Sequence, residues 1–439
     1  MEYKMLYGIW IVTFALRMLS VTAMTGKVLV VSFDGFRWDY LDIVSGIKNF
    51  PKFAAEGTYA EYMTSTFTTL TFSTHYSMAT GLYQESHGLV SNYMYDPVFN
   101  ESFSPRCPTA NDQKWWGGQP IWITATLQGK KAGCLFWVSS EVEFDGVLPY
   151  LWRKYDNSMP FHERVDTVLD WFAYDDIDLG LIYFNQPDKA GHKYGPRSPE
   201  VAQQVRVVDE VLGYLVDGVR SRGLDSTLNV IVVSDHGMTN ISLDRMIEIP
   251  RHADWSLVEQ FVEVGAICHL FCKQGQLDVV YEQLARVHPN MTVYRRDDVP
   301  VHWHYSRNRR IGDLLLVMDE GWSCTENKTF SWNKNKGSHG YDNRLLSMKP
   351  IFMAQGPDIK RGYEIEPFMS LDLYPLTATL LGITPAPNNG TLRIVQDMIR
   401  KYTPRTKAVI EANNAPVATP VFGISLMTTT SLTLWRCLA

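Results

Sequence analysis

Val28-Leu-Val-Val-Ser-Phe33, followed at once by Asp34-Gly35-Phe36-Arg37, is the stretch on which the fold turns. An apolar, valine-rich run closed by an acid and a glycine has the pattern of a strand buried on both faces, with a carboxylate at its C-terminal edge. In open α/β sheets ligands bind beyond that edge. Two further runs share the form. Leu179-Gly-Leu-Ile-Tyr-Phe184 leads into Asn185-Gln-Pro-Asp188-Lys-Ala-Gly-His192, and Leu228-Asn-Val-Ile-Val-Val-Ser234 leads into Asp235-His236-Gly237. Three buried strands, far apart in sequence, would each deliver Asp, or Asp with His, to one rim.

Working outward, helical patterns flank these strands. Trp38 to Gly57 reads as a helix with a break at Pro51, and Phe161 to Phe172 and Pro199 to Arg222 read as amphipathic helices on either side of the Leu179 strand. Strand and helix alternate, which predicts an α/β fold with a mostly parallel central sheet and helices on both faces. From 251 to 310 the alternation loosens, and Val264 to Cys272, a helix over Leu277 to Val287 and Leu314 to Met318 suggest a smaller inserted region. Within it, Pro300-Val-His-Trp-His-Tyr-Ser-Arg-Asn-Arg-Arg310 reads as an exposed basic loop, with His302 and His304 unsupported as a ligand pair. Ile351 to Gln355 is a last strand and Leu371 to Leu381 a closing helix.

The bulk numbers fit one large domain over residues 24–400. The chain has 439 residues, 45% of them hydrophobic and 13% aromatic, enough to bury a sizeable core. A formal charge of −6 offers no electrostatic basis for binding a nucleic-acid polymer. Residues 1–23 have the charged lead, apolar core and small-residue end of a secretory signal peptide. Five Asn-x-Ser/Thr sequons, at Asn100, Asn240, Asn290, Asn327 and Asn389, agree with that route to the cell surface. Residues 401–439 read as a stalk with a weak membrane-anchor signal, which leaves anchored and secreted forms open, as it does the oligomeric state. Of six cysteines, some should pair in an oxidising compartment; Cys268 and Cys272 sit in a strand-like run, as buried thiols or disulfide partners rather than metal ligands.

The acids and imidazoles at the rim set the chemistry. Asp188-x-x-x-His192 puts two ligand types within one helical turn. Asp235-His236 supplies two more from a strand end, and His339 lies in the glycine-flanked loop Gly337-Ser-His-Gly-Tyr-Asp-Asn343. With Asp34 these make a set of nitrogen and oxygen donors suited to two zinc ions, each with an open position. Two metals about 3.5–4 Å apart clamp the attacking and leaving oxygens of an in-line displacement at phosphorus. A nucleophile is then required. The hydroxyl run Thr64-Ser-Thr-Phe-Thr-Thr-Leu-Thr71-Phe72-Ser-Thr-His75-Tyr76, leading into Ser77-Met-Ala-Thr-Gly81, is by itself a solvated loop or edge strand. Before a helix, one of its hydroxyls can sit where the helix dipole favours an anion.

The chain resembles the ecto-nucleotide pyrophosphatase/phosphodiesterase family of the alkaline phosphatase superfamily, nearest its short type 4 and type 5 members, over about Lys27 to Met398. The carriers are Val31-Ser-Phe-Asp-Gly-Phe-Arg37, Thr71-Phe-x-x-His75-Tyr, Thr80-Gly-Leu-Tyr-x-Glu-Ser-His-Gly88, Ser234-Asp-His-Gly-Met238 and His339-Gly-Tyr-Asp-Asn343. The resemblance implies an alkaline phosphatase-like fold and Thr71 as nucleophile. It implies one zinc on Asp34, Asp235, His236 and Thr71 and a second on Asp188, His192 and His339. Asn92 would donate to a phosphate oxygen, and Phe72 and Tyr155 would sandwich a nucleotide base. Thr71 would attack the α-phosphorus, and water would then release the 5′-mononucleotide from the threonyl-nucleotide intermediate. Leu70, Ser73-Thr74 and Asn185-Gln186 depart from the family pattern, the last replacing an acidic pair; none is a ligand.

The implied function is an extracellular hydrolase of nucleotide pyrophosphate and phosphodiester bonds in NAD, ADP, ATP and dinucleoside polyphosphates. The alternatives are a phosphodiesterase of choline-phosphate or lysophospholipid esters and a non-catalytic surface adhesion module. A sulfatase is disfavoured because Cys107-Pro-Thr-Ala-Asn111 lacks the required Cys-x-Pro-x-Arg signature.

Overall fold

This computed structural model describes residues 26–327 and 334–400; the leader expected at 1–23, the stalk and anchor signal at 401–439, and Cys437 lie outside them. The three anchor runs are neighbours in an eight-stranded sheet. Its strands are β1 (Lys27–Phe33), β2 (Thr58–Ala60), β3 (Ala132–Leu135), β4 (Leu151–Arg153), β5 (Leu179–Phe184), β6 (Leu228–Val233), β7 (Phe352–Gln355) and β8 (Tyr363–Ile365). They lie in the order β8-β2-β7-β6-β1-β5-β3-β4. From β6 to β4 all neighbours are parallel, whereas β7 runs antiparallel between β6 and β2.

Among the helices packed around the sheet are α1 (Asn49–Glu56), α2 (Thr71–Thr80), α3 (Phe161–Ala173), α4 (Asp188–Tyr194), α5 (Pro199–Ser221) and α6 (Leu373–Leu381). Successive residues of β1 serve opposite faces. Val28 and Val30 join the core that contains Tyr76 and Met78 of α2 and Leu376 and Leu380 of α6. Leu29, Val31 and Phe33 join the other, with Phe50 of α1, Val165 of α3 and Leu212 of α5. Burial of both faces explains why the run is apolar throughout rather than alternating.

Two helix boundaries differ from the expectation. Trp38 to Gly57 is two helices, Tyr40–Ile43 and α1, and Pro51 falls inside the first turn of α1, where its missing N–H breaks no helical bond. The break comes earlier because Asp209 of α5 accepts the N–H groups of Lys48, Asn49 and Phe50 at 2.8–2.9 Å, capping α1 from a neighbouring helix. Helix α2 begins at Thr71, inside the hydroxyl run. Two of its threonine hydroxyls are satisfied within the helix: Thr74 Oγ1 donates to Leu70 O at 2.6 Å and Thr80 Oγ1 to Tyr76 O at 2.8 Å, the back-bonding that lets Ser and Thr live inside a helix.

A second sheet is antiparallel, its strands Val258–Glu263, Ile267–Cys272, Leu314–Met318 and Met291–Arg295 in that order. It extends beyond residue 310, and the Cys268–Cys324 disulfide joins its second strand to the flanking strand Ser323–Thr325. Cys134 and Cys272 are buried thiols and Cys107 a half-buried one. The run from Pro300 to Arg310 is only in part the exposed loop expected: Val301, His302, Arg307 and Arg309 are exposed, whereas Trp303, Tyr305 and Arg310 are buried. Trp303 stacks on Phe67 with centroids 4.2 Å apart, and Arg309 and Arg310 both hold the buried Asp96 carboxylate at 2.8 Å. Three more Arg310 hydrogen bonds go to carbonyls of Gly88, Trp115 and Lys114, tying this loop of the inserted region to the segment 88–115. His304 stacks on Tyr83 and His302 packs against Trp303, so neither histidine belongs to a ligand cluster.

Asp372, buried ahead of α6, accepts the Thr391 N–H at 2.7 Å, and burial pushes its carboxyl up to about 7. A carboxyl raised on folding holds its proton in the native state while the unfolded chain has released it, so stability falls as pH rises from about 4 to 7. Asp372→Asn should remove that fall; chemical denaturation of both forms across this pH range reads it directly.

Candidate active site

The register of the main sheet assembles the site. Phe33 lies opposite Phe184 and Ser32 opposite Val233, so the three strands end level and Asp34, the turn to Asp188, and Asp235-His236 leave from one edge. Gly35 makes this possible: it has φ of +65°, and a Cβ there would come within 2.8 Å of the Asp188 Cα. His339 arrives on the short strand Gly337–Ser338, which pairs with Thr239–Asn240 just beyond His236. Helix α4 puts Asp188 Oδ1 3.3 Å from His192 Nε2.

Two groups of possible metal-holding residues result, each with its ligand atoms within 4.8 Å of one another: Asp188, His192 and His339, and Asp34, Asp188 and His236. Asp235 adjoins the second, with Oδ2 3.1 Å from His236 Nε2, and Thr71 Oγ1 lies 3.2 Å from the same nitrogen. All seven candidate ligand residues are thus brought together.

The donor set fits cations. Asp34 Oδ1, Asp188 Oδ1 and Asp235 Oδ2 are buried oxygens without hydrogen-bond partners, a costly state for a carboxylate unless a positive ion faces it. Their other contacts aim them. Asp235 Oδ1 accepts the N–H groups of Gly35 and His236 at 3.0 and 3.1 Å, turning Oδ2 inward. Each imidazole has Nδ1 at a backbone carbonyl: His192 on Gly337, His236 on Gly237 and His339 on Thr69, at 2.8–3.0 Å. Nδ1 must donate in these bonds, so in the neutral ring Nε2 carries the lone pair and points into the site, the tautomer of a metal ligand. His192 and His339 then face each other Nε2 to Nε2 at 3.1 Å, close enough for one cation to meet both nitrogens.

Electrostatics agree. Burial, with Asp235 and Asp188 nearby, raises the Asp34 carboxyl well above the ordinary range. Burial also opposes charge on Asp235, but His236 and His75 hold its carboxyl well below that range. Burial and the neighbouring His236 and His192 push His339 far down, keeping it neutral.

Thr71 is the first residue of α2, half-buried, with its hydroxyl at the positive end of the helix. Asn92 Oδ1 accepts the Phe72 N–H at 2.9 Å, which leaves the Asn92 NH2 without a partner among the described residues and beside the Thr71 end of the helix. Phe72 is half-buried and Tyr155 is 44% exposed; no ring contact joins them, and Tyr155 packs instead on Phe136 and Tyr183. Of the sequon asparagines, Asn100, Asn240, Asn327 and Asn389 are exposed. Asn290 is half-buried and its Nδ2 donates to Asp319 at 3.1 Å.

Three supports escaped the sequence reading. The hydroxyl run is buried, not solvated: Ser65 Oγ donates to Asp235 O, and Thr69 Oγ1 donates to Tyr341 O while accepting from Gly340 N, both at 3.0 Å, bolting the approach to Thr71 onto the His339 loop. His75, one helical turn after Thr71, lies 3.3 Å from Asp235 Oδ2 and 2.8 Å from Ser32 Oγ; its i+4 spacing from Thr71 was the available signal. Tyr183, next to last in β5, donates its hydroxyl to Asp34 Oδ2. Tyr183→Phe should therefore loosen Asp34 and lower metal affinity about 10- to 100-fold, the usual effect of losing such a support, measured by metal retention against a competing chelator.

The family profile described as Type I phosphodiesterase / nucleotide pyrophosphatase matches residues 28–342. Human ectonucleotide pyrophosphatase/phosphodiesterase family member 5 is 41% identical over 384 residues, covering 86% of this chain and 79% of that protein. A Xenopus laevis bis(5′-adenosyl)-triphosphatase is 39% identical over 377 residues, covering 84% and 80%. Among solved structures, murine family member 5 has 40% identity and a TM-score of 0.82, over 85% of this chain and all of that one. An inactive threonine-to-alanine variant of that murine protein, in complex with AMP, superposes with the same TM-score.

Proposed function

Since the chain belongs to the ectonucleotide pyrophosphatase/phosphodiesterase family, whose members are hydrolases, we propose that it is an extracellular zinc-dependent enzyme that cleaves nucleotide pyrophosphate and phosphodiester bonds to release 5′-mononucleotides. The observation that carries this reading is the Thr71 hydroxyl at a helix N-terminus, 3.2 Å from His236, against the cluster of unpartnered carboxylate oxygens. Asp34, Asp235, His236 and Thr71 would hold one zinc ion and Asp188, His192 and His339 a second, which would supply positive charge for phosphate oxygens and ease deprotonation of a hydroxyl.

The residues do the rest. Thr71 Oγ loses its proton and bonds to the α-phosphorus as the bond to the phosphate-bearing leaving group breaks. The Asn92 NH2, oriented by the Phe72 N–H, donates to a non-bridging oxygen, where charge grows in the transition state. Phe72 and Tyr155 hold the base between rings, a contact that suits any base. Water then splits the Oγ–phosphorus bond and frees the mononucleotide. The AMP complex of the murine protein and the diadenosine substrate named for the Xenopus laevis relative support nucleotides over lysophospholipids. The leader and exposed sequons at Asn100, Asn240, Asn327 and Asn389 support an extracellular, glycosylated protein; among the described residues no helix is long and apolar enough to cross a membrane.

The test is a substrate panel of NAD, ADP, ATP, diadenosine polyphosphates and a lysophospholipid, with products identified by mass. AMP from the nucleotides is expected. Choline phosphate from the lysophospholipid, with the nucleotides untouched, would reverse the assignment.

A further inference from the structure

The loop that carries Tyr155 is fixed at its backbone by a buried arginine. Arg164 of α3 donates from Nε to Met159 O at 3.1 Å, from Nη2 to Asp156 O at 3.4 Å and from Nη1 to Tyr183 O at 3.0 Å. The loop is thereby tied to β5, where Tyr183 also supports Asp34. The Tyr155 N–H adds a bond to Glu141 Oε1 at 2.7 Å. None of these contacts holds the exposed end of the Tyr155 ring.

One side chain does. Asn157 Oδ1 accepts the Tyr155 hydroxyl at 3.3 Å and the Asn185 Nδ2 at 2.7 Å. An amide oxygen has two lone pairs, and both are taken. Asn185 directly follows β5 and stands three residues before Asp188, so this amide pair spans the gap between the base-stacking loop and the turn that delivers a metal-holding carboxylate. We propose that Asn157, backed by Asn185, is a positioning residue that sets the pose of the Tyr155 ring relative to Thr71 and thereby the preference for nucleotides over phosphodiesters without a base. The inference rests on the nucleotide reading above and adds the residues that enforce it.

Because Arg164 holds the loop backbone independently, and Phe136 and Tyr183 still pack against the ring, removing the Asn157 amide releases the hydroxyl end of Tyr155 without unfolding the loop. A ring held at one end only must have its pose set anew by each substrate, which raises KM more than it lowers kcat. The measured quantity is kcat/KM for NAD divided by kcat/KM for bis(4-nitrophenyl) phosphate. Asn157→Leu should lower this ratio about three- to tenfold, the worth of one net hydrogen bond, mostly through the KM for NAD. Tyr155→Phe should do the same, and the double variant should fall no further than either single one. Asn157→Asp, whose carboxylate can accept from both donors, should restore the ratio. Tyr155→Ala separates the two ideas. If it lowers the ratio while Asn157→Leu leaves it at the wild-type value, the positioning role is wrong. If Tyr155→Ala also leaves the ratio unchanged, ring stacking and the nucleotide reading beneath it fail.

Discussion

Thr71→Ala is expected to lower turnover by at least about 10³-fold and to leave a folded protein. The hydroxyl lies beside the carboxylate and imidazole cluster, 3.2 Å from His236 Nε2, and among the described residues no other hydroxyl of the run bonds to one of its imidazole nitrogens. Ser65 and Thr69 are buried and bonded to the Asp235 and Tyr341 carbonyls. Ser73 and Thr74 are buried within α2, Thr74 donating to Leu70 O. Stability should change little, because Thr71 is half-buried at a helix start and alanine is a better helix former. The expected result is an unchanged circular dichroism spectrum and melting temperature with product formation near background, and Thr71→Ser restoring part of the rate. Turnover by Thr71→Ala within tenfold of wild type would remove Thr71 from the mechanism.

Stripping the metal has the second largest effect. A strong zinc chelator should cut activity by at least about 10³-fold, lower the melting temperature, and be reversed by adding zinc. Without cations, Asp34, Asp188 and Asp235 face one another across a buried space with unpartnered oxygens, and a bound ion that prefers the native state stabilises it by mass action. Metal analysis of active protein should find two equivalents of zinc; fewer than two in fully active enzyme would overturn the two-zinc assignment. Among single variants, Asp188→Ala should be more damaging than His192→Ala. Asp188 is common to both ligand groups, its Oδ1 lying 3.3 Å from His192 and 3.6 Å from His339.

The rim of acids and imidazoles could be read directly because each member except His339, which comes from a glycine-flanked loop, follows a buried strand of strong local pattern. The parallel register of β1 with β5 and β6 then converts strand ends into neighbours. What surrounds the rim was not readable in the same way. The hydroxyl run from Thr64 has the composition of a solvated loop, and its burial depends on carbonyls of Asp235 and Tyr341, far away in the chain. The segment from Pro300 to Arg310 has the composition of a basic surface, and the burial of its Arg310 depends on Asp96, more than 200 residues earlier. In both cases side chains that usually face water are paid for by partners that only the folded chain supplies.

The amino-acid sequence alone therefore determined the alternating α/β architecture and the residues delivered to the sheet edge, since both follow from short-range periodicity and from where each apolar run stops. Tertiary structure alone decided which oxygens and nitrogens lack partners, which imidazole nitrogen faces inward, that Cys268 pairs with Cys324, and that Asn157 holds Tyr155 and Asn185 together. These depend on single hydrogen-bond distances between segments remote in the chain, and no local pattern of residues encodes such distances.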